Sequence, residues 1–128
     1  MKLSYVILYV ENVEQSVLFY KNAFGLKERF IHESKDYAEM ETGSTVLAFC
    51  LHKLAETIVG DTYVKASRES RPLGVQITFE PENVTEAYNC ALSYGAQSIS
   101  KPEIKPWNFE VAMVRDCDGH IIELAKKL

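Results

Sequence analysis

Between Lys2 and Val10 apolar side chains occupy both parities, with Val6, Leu8 and Val10 on one face and Tyr5, Ile7 and Tyr9 on the other. That is the pattern of a strand covered on both sides. Glu11-Asn12 breaks it. Asn12 is a good N-cap with Gln15 at the third helical position, and Val13, Val17, Tyr20 and Phe24 follow at helical spacing until Gly25 stops the helix. Three short strands are predicted next, over residues 27–33, 37–41 and 45–52, with Thr42-Gly43-Ser44 turning the last pair. The first module therefore reads βαβββ.

Residues 53–72 are polar and aperiodic, which predicts a mobile connection with one helical turn at most. Then the first pattern returns. Residues 73–80 read as a strand, and Asn83 caps a helix with Glu86 at the capping-box position. Val84, Ala87, Tyr88, Ala91 and Leu92 form its apolar stripe before Gly95. A short strand near 97–100, a loop over 102–106 and a final hairpin complete a second βαβββ module. Glu11-Asn12-Val13 recurs as Glu82-Asn83-Val84, an offset that superposes Tyr5 on Gln76 and Val6 on Ile77. The expected organisation is one domain over 1–128, with module one at 1–52, a connecting segment at 53–72 and module two at 73–128.

The hairpin spans Trp107 to Leu124 and turns at Asp116-Cys117-Asp118-Gly119, where Asp and Gly supply turn hydrogen bonds and positive φ. In its second strand Glu123 shares a face with Ile121 and Ala125, while Ile122 and Leu124 share the other. Burying an unpaired carboxylate is costly, so Glu123 points to a pocket or a partner.

Composition narrows the classes. At 47% hydrophobic and 25% charged, 128 residues suffice for a core without metal or disulfide staples. The opening apolar run is interrupted by Glu11 and has no small-residue cleavage site after it, so neither a signal peptide nor a membrane span is expected. Cys50, Cys90 and Cys117 are odd in number and lack C-x-x-C spacing, which predicts free thiols in a reducing cytoplasm. A net charge of −4 without a Lys/Arg run argues against nucleic acid as partner.

With two βαβββ modules, Phe19-Tyr20 followed by Gly25-Leu26, and the closing Arg115 to Leu124 run (R-D-C-D-G-H-I-I-E-L), the chain resembles the vicinal oxygen chelate superfamily. That superfamily includes glyoxalase I, extradiol dioxygenases and fosfomycin- and bleomycin-resistance proteins. The resemblance implies an α+β fold, two βαβββ modules forming a curved mixed sheet around a cleft, and a homodimer. The family's turn usually reads D-P-D-G; here Cys117 replaces the proline, which should loosen the turn without moving Glu123. The resemblance also implies a divalent metal held by His on the first strand of each module and Glu on the last. The matching positions are Tyr5, Gln76 and Glu123, with Ala48 where glyoxalase I has a further Glu. Imidazole suits Mn, Fe, Ni or Zn far better than a phenol or an amide does, so no metal and no cofactor is expected.

With Glu123 facing inward, parity also turns Gln76, Thr78, Glu80, Ala48, Cys50 and His52 inward, and Phe109, Val111, Met113 and Arg115 from the hairpin, with Trp107 at the mouth. The ligand-binding set is thus Tyr5, Gln76, Thr78, Trp107, Phe109, Met113, Arg115 and Glu123, lining an aromatic and apolar cleft with convergent polar groups. His52, near a strand end, reads as solvated, and His32 and His120 as having no site role. The reading favoured is a cytoplasmic, metal-free protein that sequesters or senses a flat or cationic small molecule. Two alternatives stay open: an enzyme holding metal atypically through His52, Glu80 and Glu123, and a metal-independent enzyme with Glu123 as general base.

Overall fold

The computed structural model describes residues 1–128. The elements run β1 (Tyr5–Val10), α1 (Val13–Phe24), β2 (Lys27–Ile31), β3 (Tyr37–Glu41), β4 (Val46–Leu51), α2 (His52–Val59), β5 (Gln76–Phe79), α3 (Val84–Ser93), β6 (Gln97–Lys105), β7 (Phe109–Arg115) and β8 (Ile121–Lys127). Two compact units result: Met1–Lys21 with Gly25–Lys65, and Asn22–Phe24 with Ala66–Leu128. Each holds a four-stranded sheet, ordered β1-β4-β3-β2 in the first and β5-β8-β7-β6 in the second. In both, the module's first strand pairs parallel with its last, and the remaining pairs are antiparallel. The chain is therefore an α+β protein of two identically wired βαβββ modules.

Both module helices start with the same device. Asn12 Oδ1 accepts the Gln15 N–H at 2.9 Å and Asn83 Oδ1 accepts the Glu86 N–H at 2.9 Å, each relieving one orphan donor of the first turn. At the end of α1, Gly25 adopts the left-handed conformation that lets its own N–H reach Lys21 O and that of Leu26 reach Tyr20 O. Strand alternation then sorts the core. In the first unit Leu8, Val10, Ala38, Met40, Leu47 and Phe49 are buried with Val13, Val17 and Tyr20 of α1, and the Tyr20 and Phe49 rings lie 4.8 Å apart. In the second, Ala112, Val114, Ile122 and Leu124 are buried with Val84, Tyr88 and Ala91 of α3, which packs across β6, β7 and β8.

Three expectations need correction. Part of the supposed connection is a two-turn helix, α2, running from His52 to Val59. Its N-cap is Leu51, without a side-chain cap bond, so it carries no start signal, and only His52 and Ala55 are buried along eight residues. The strand near 97–100 continues through Pro102 to Lys105. Proline is tolerated there because β6 is an edge strand whose register shifts on either side of Ser100. Finally, His52 is buried rather than solvated: its Nδ1 lies 2.7 Å from the Tyr63 hydroxyl, with the two rings stacked, and its Nε2 faces Glu11 at 3.7 Å.

Candidate ligand-binding face and the hairpin turn beneath it

Residues paired across strands share a sheet face, so the register of the second unit locates Glu123. Glu123 aligns with Thr78 on β5 and Met113 on β7; Ile121 aligns with Gln76 and Arg115, and Ala125 with Val111. This face lies opposite the one buried with α3, and it carries Gln76, Thr78, Met113, Arg115 and Glu123 as alternation predicts. Phe109 follows on the same face of β7, next to Lys127 of β8. Trp107 sits in the β6–β7 turn and is largely exposed. Glu80 follows β5 and is exposed. Tyr5 belongs to the first unit, on the face of β1 that includes Ile7, which is paired with Ala48.

The polar groups on the Glu123 face form a directed chain. Gln76 Nε2 donates to Thr78 Oγ1 at 3.3 Å, and the Thr78 hydroxyl donates to Glu123 Oε1 at 2.8 Å. The carboxylate is thus oriented by one neutral donor, Thr78, which Gln76 holds in turn. Arg115, the cation nearest in register, is engaged elsewhere: Nε donates to Gly119 O at 3.0 Å, Nη1 to Arg68 O at 3.2 Å and Nη2 to Ser67 O at 2.7 Å. Carbonyl acceptors hold the guanidinium without neutralising it or Glu123.

Metal coordination fits this donor set poorly. The family-matched positions on this face offer one amide and one carboxylate and no imidazole. A different group of possible ligands occurs in the β7–β8 turn: Asp116, Asp118 and His120 are all buried, with ligand atoms within 4.8 Å of one another. Their bonds read as a turn lock. Asp116 Oδ1 accepts the backbone N–H of Asp118 at 2.9 Å and of His120 at 2.8 Å, while Asp116 Oδ2 lies 3.0 Å from His120 Nδ1. This carboxylate closes the turn together with two backbone bonds, Asp116 N–H to His120 O at 3.0 Å and Gly119 N–H to Asp116 O at 3.1 Å. Burial alone would push the His120 imidazole down, but the hydrogen bond and charge of Asp116, with Asp118 behind it, outweigh burial and raise its pKa above the ordinary value.

The first unit holds a second carboxylate that the sequence reading passed over. Glu39, opposite Ala48, is buried; Tyr37 donates to its Oε2 at 2.8 Å and Arg29 Nη1 lies 3.3 Å from its Oε1. Burial, then the hydrogen bond to Glu39, push the Tyr37 phenol up. The signal was the alternation Tyr37, Glu39, Glu41, which puts three polar groups on one strand face. This carboxylate has its own cation, whereas Glu123 does not.

Comparison with known proteins agrees with the architecture. A model of the glyoxalase-like domain family matches residues 3–128. Over 129 residues the chain is 30% identical to the uncharacterized protein YraH of Bacillus subtilis (strain 168), with 100% of each covered. Among solved structures, a glyoxalase/bleomycin resistance protein/dioxygenase family enzyme from Burkholderia phytofirmans PsJN superposes with a TM-score of 0.87 at 20% identity, covering 100% of both chains. A glyoxalase-related enzyme from Fulvimarina pelagi gives 0.83 at 23% identity, covering 98% of this chain and 87% of that one. No helix here is long and apolar enough to cross a membrane. On its sequence match, the chain belongs to the glyoxalase-like domain family.

Proposed function

We propose that this protein binds a small, flat cationic molecule on the Glu123 face of the β5–β8–β7 sheet, without metal, and so acts by sequestering or sensing it. The observation that carries the reading is the Gln76–Thr78–Glu123 chain, which orients a carboxylate with one neutral donor. A carboxylate so placed gains most from a ligand that brings its own positive charge. Met113 lies across from it and Ile121 follows on the same face, with Phe109 farther along β7 opposite Lys127 and the exposed Trp107 ring at the turn beyond. Arg115, held by three carbonyls, supports the face rather than pairing with the ligand. The test is a thermal-shift screen of aromatic cations, thioflavin T among them, beside neutral molecules of the same shape. Cations should raise the melting temperature and their neutral counterparts should not. Equal shifts from both sets would remove the electrostatic basis of the reading.

We propose in addition that two copies associate in the cytoplasm. Each sheet ends in two edge strands, and apolar side chains such as Tyr5, Ile7, Ile99 and Ile104 are exposed on them. Edges of that kind are normally paired or covered. Light scattering should give about 29 kDa, twice the 14.5 kDa chain. A monomer mass at every concentration would rule the dimer out.

A further inference from the structure

We propose that Arg115 is a positioning residue, which fastens residues 66–70 as a fixed strap at the hairpin end of the Glu123 face and so slows escape of a ligand from it. The consequence for the ligand rests on the function proposed above; the fastening does not. The strap has its own shape. Ser67 Oγ donates to the Glu69 carboxylate at 2.8 Å and accepts the Glu69 N–H at 3.2 Å, Ser70 Oγ donates to Ser67 O at 3.3 Å, and Ala66 is buried. Its outward-turned carbonyls are what Arg115 takes. One planar guanidinium spans Ser67 O, Arg68 O and Gly119 O, so the strap and the β7–β8 turn are joined through a single side chain.

Gly119 makes the approach possible. Its φ is +90°, and a Cβ built on it would stand 2.6 Å from Ser67 O and 2.6 Å from Arg115 Nη2. The strap lies against the one turn position that has no side chain. Arg115 emerges on the same sheet face as Met113 and Glu123, because it aligns with Ile121 while Met113 aligns with Glu123. The strap therefore stands at the end of the face that carries the carboxylate. The sequence reading treated this segment as part of a mobile connection; two carbonyl bonds to Arg115 and a steric fit against Gly119 make residues 66–70 a seated element instead.

The fastening can be read without any ligand, because the carbonyl that Arg115 Nη1 holds belongs to the Arg68–Glu69 peptide bond that trypsin would cut. In R115Q, cleavage after Arg68 should accelerate about tenfold or more, while cleavage after Lys53 in α2, a control site outside the strap, should not change. R115K keeps the charge but cannot span three carbonyls, so it should fall between wild type and R115Q. Equal acceleration at both sites, or none at Arg68 in either variant, would overturn the fastening. Thioflavin T then tests the gate. Its dissociation rate should rise about fivefold in R115Q with the association rate kept. A released strap with unchanged dissociation would overturn the gating while leaving the function reading intact. No thioflavin T binding to the wild type would end the gating claim together with the choice of aromatic cations, and the cleavage result would still decide the fastening.

Discussion

Replacing Asp116 with alanine should lower stability by about 3–5 kcal/mol, the cost of removing one member of a buried, hydrogen-bonded pair. The loss has two sources: the backbone donors of Asp118 and His120 lose their acceptor, and the His120 imidazole loses the partner that offsets its burial. Urea unfolding checks the magnitude, and its pH dependence checks the cause. The folded-state pKa of His120 is raised above its ordinary 6.5, so its contribution is fully present below that value and is lost as pH rises through the folded pKa. Wild-type protein should therefore lose a component of stability as pH rises from the ordinary histidine value through the raised folded pKa of His120, a component that D116A lacks. A loss below 1 kcal/mol, with the pH slope unchanged, would show that the turn is held by something other than this pair.

Gly119→Ala should cost about 2–4 kcal/mol, from a left-handed backbone that alanine resists and a methyl group with no room beside Ser67 O. The two causes are separable. Gly43, in the Thr42–Ser44 turn, also has positive φ but nothing within 4 Å of a built Cβ, so Gly43→Ala reports the backbone strain alone. Thermal unfolding of both variants should show G119A clearly the less stable. Equal losses would mean that the strap does not press on the turn.

Much of the architecture was legible because its signals are local. Asn12, Asn83 and Gly25 are caps whose chemistry acts within one helical turn, and alternation alone set Gln76, Thr78, Met113 and Glu123 on one face. What the sequence hid depended on contacts between distant segments. The turn Asp116 to Gly119 was legible as a turn, but not that Asp116 and His120 are buried in it or that Ser67 lies against Gly119. Parity put the base of Arg115 on the Glu123 face, but the far end of so long a side chain goes where acceptors are, and those arrive from residues 67 and 68. His52 was misjudged for the same reason, since Tyr63 covers it. Helix α2 lacks a capping side chain and is too short for its period to stand out.

The claim that a cation-binding face is organised around Glu123 is tested most directly by titrating the tightest-binding aromatic cation into wild type and Glu123→Gln while following the unfolding of both. The amide keeps the shape and can still accept from Thr78, so only the charge is removed. Affinity should fall by roughly 1–3 kcal/mol with the melting temperature nearly unchanged. A loss of several kcal/mol in stability with affinity untouched would contradict the account and make Glu123 a structural residue.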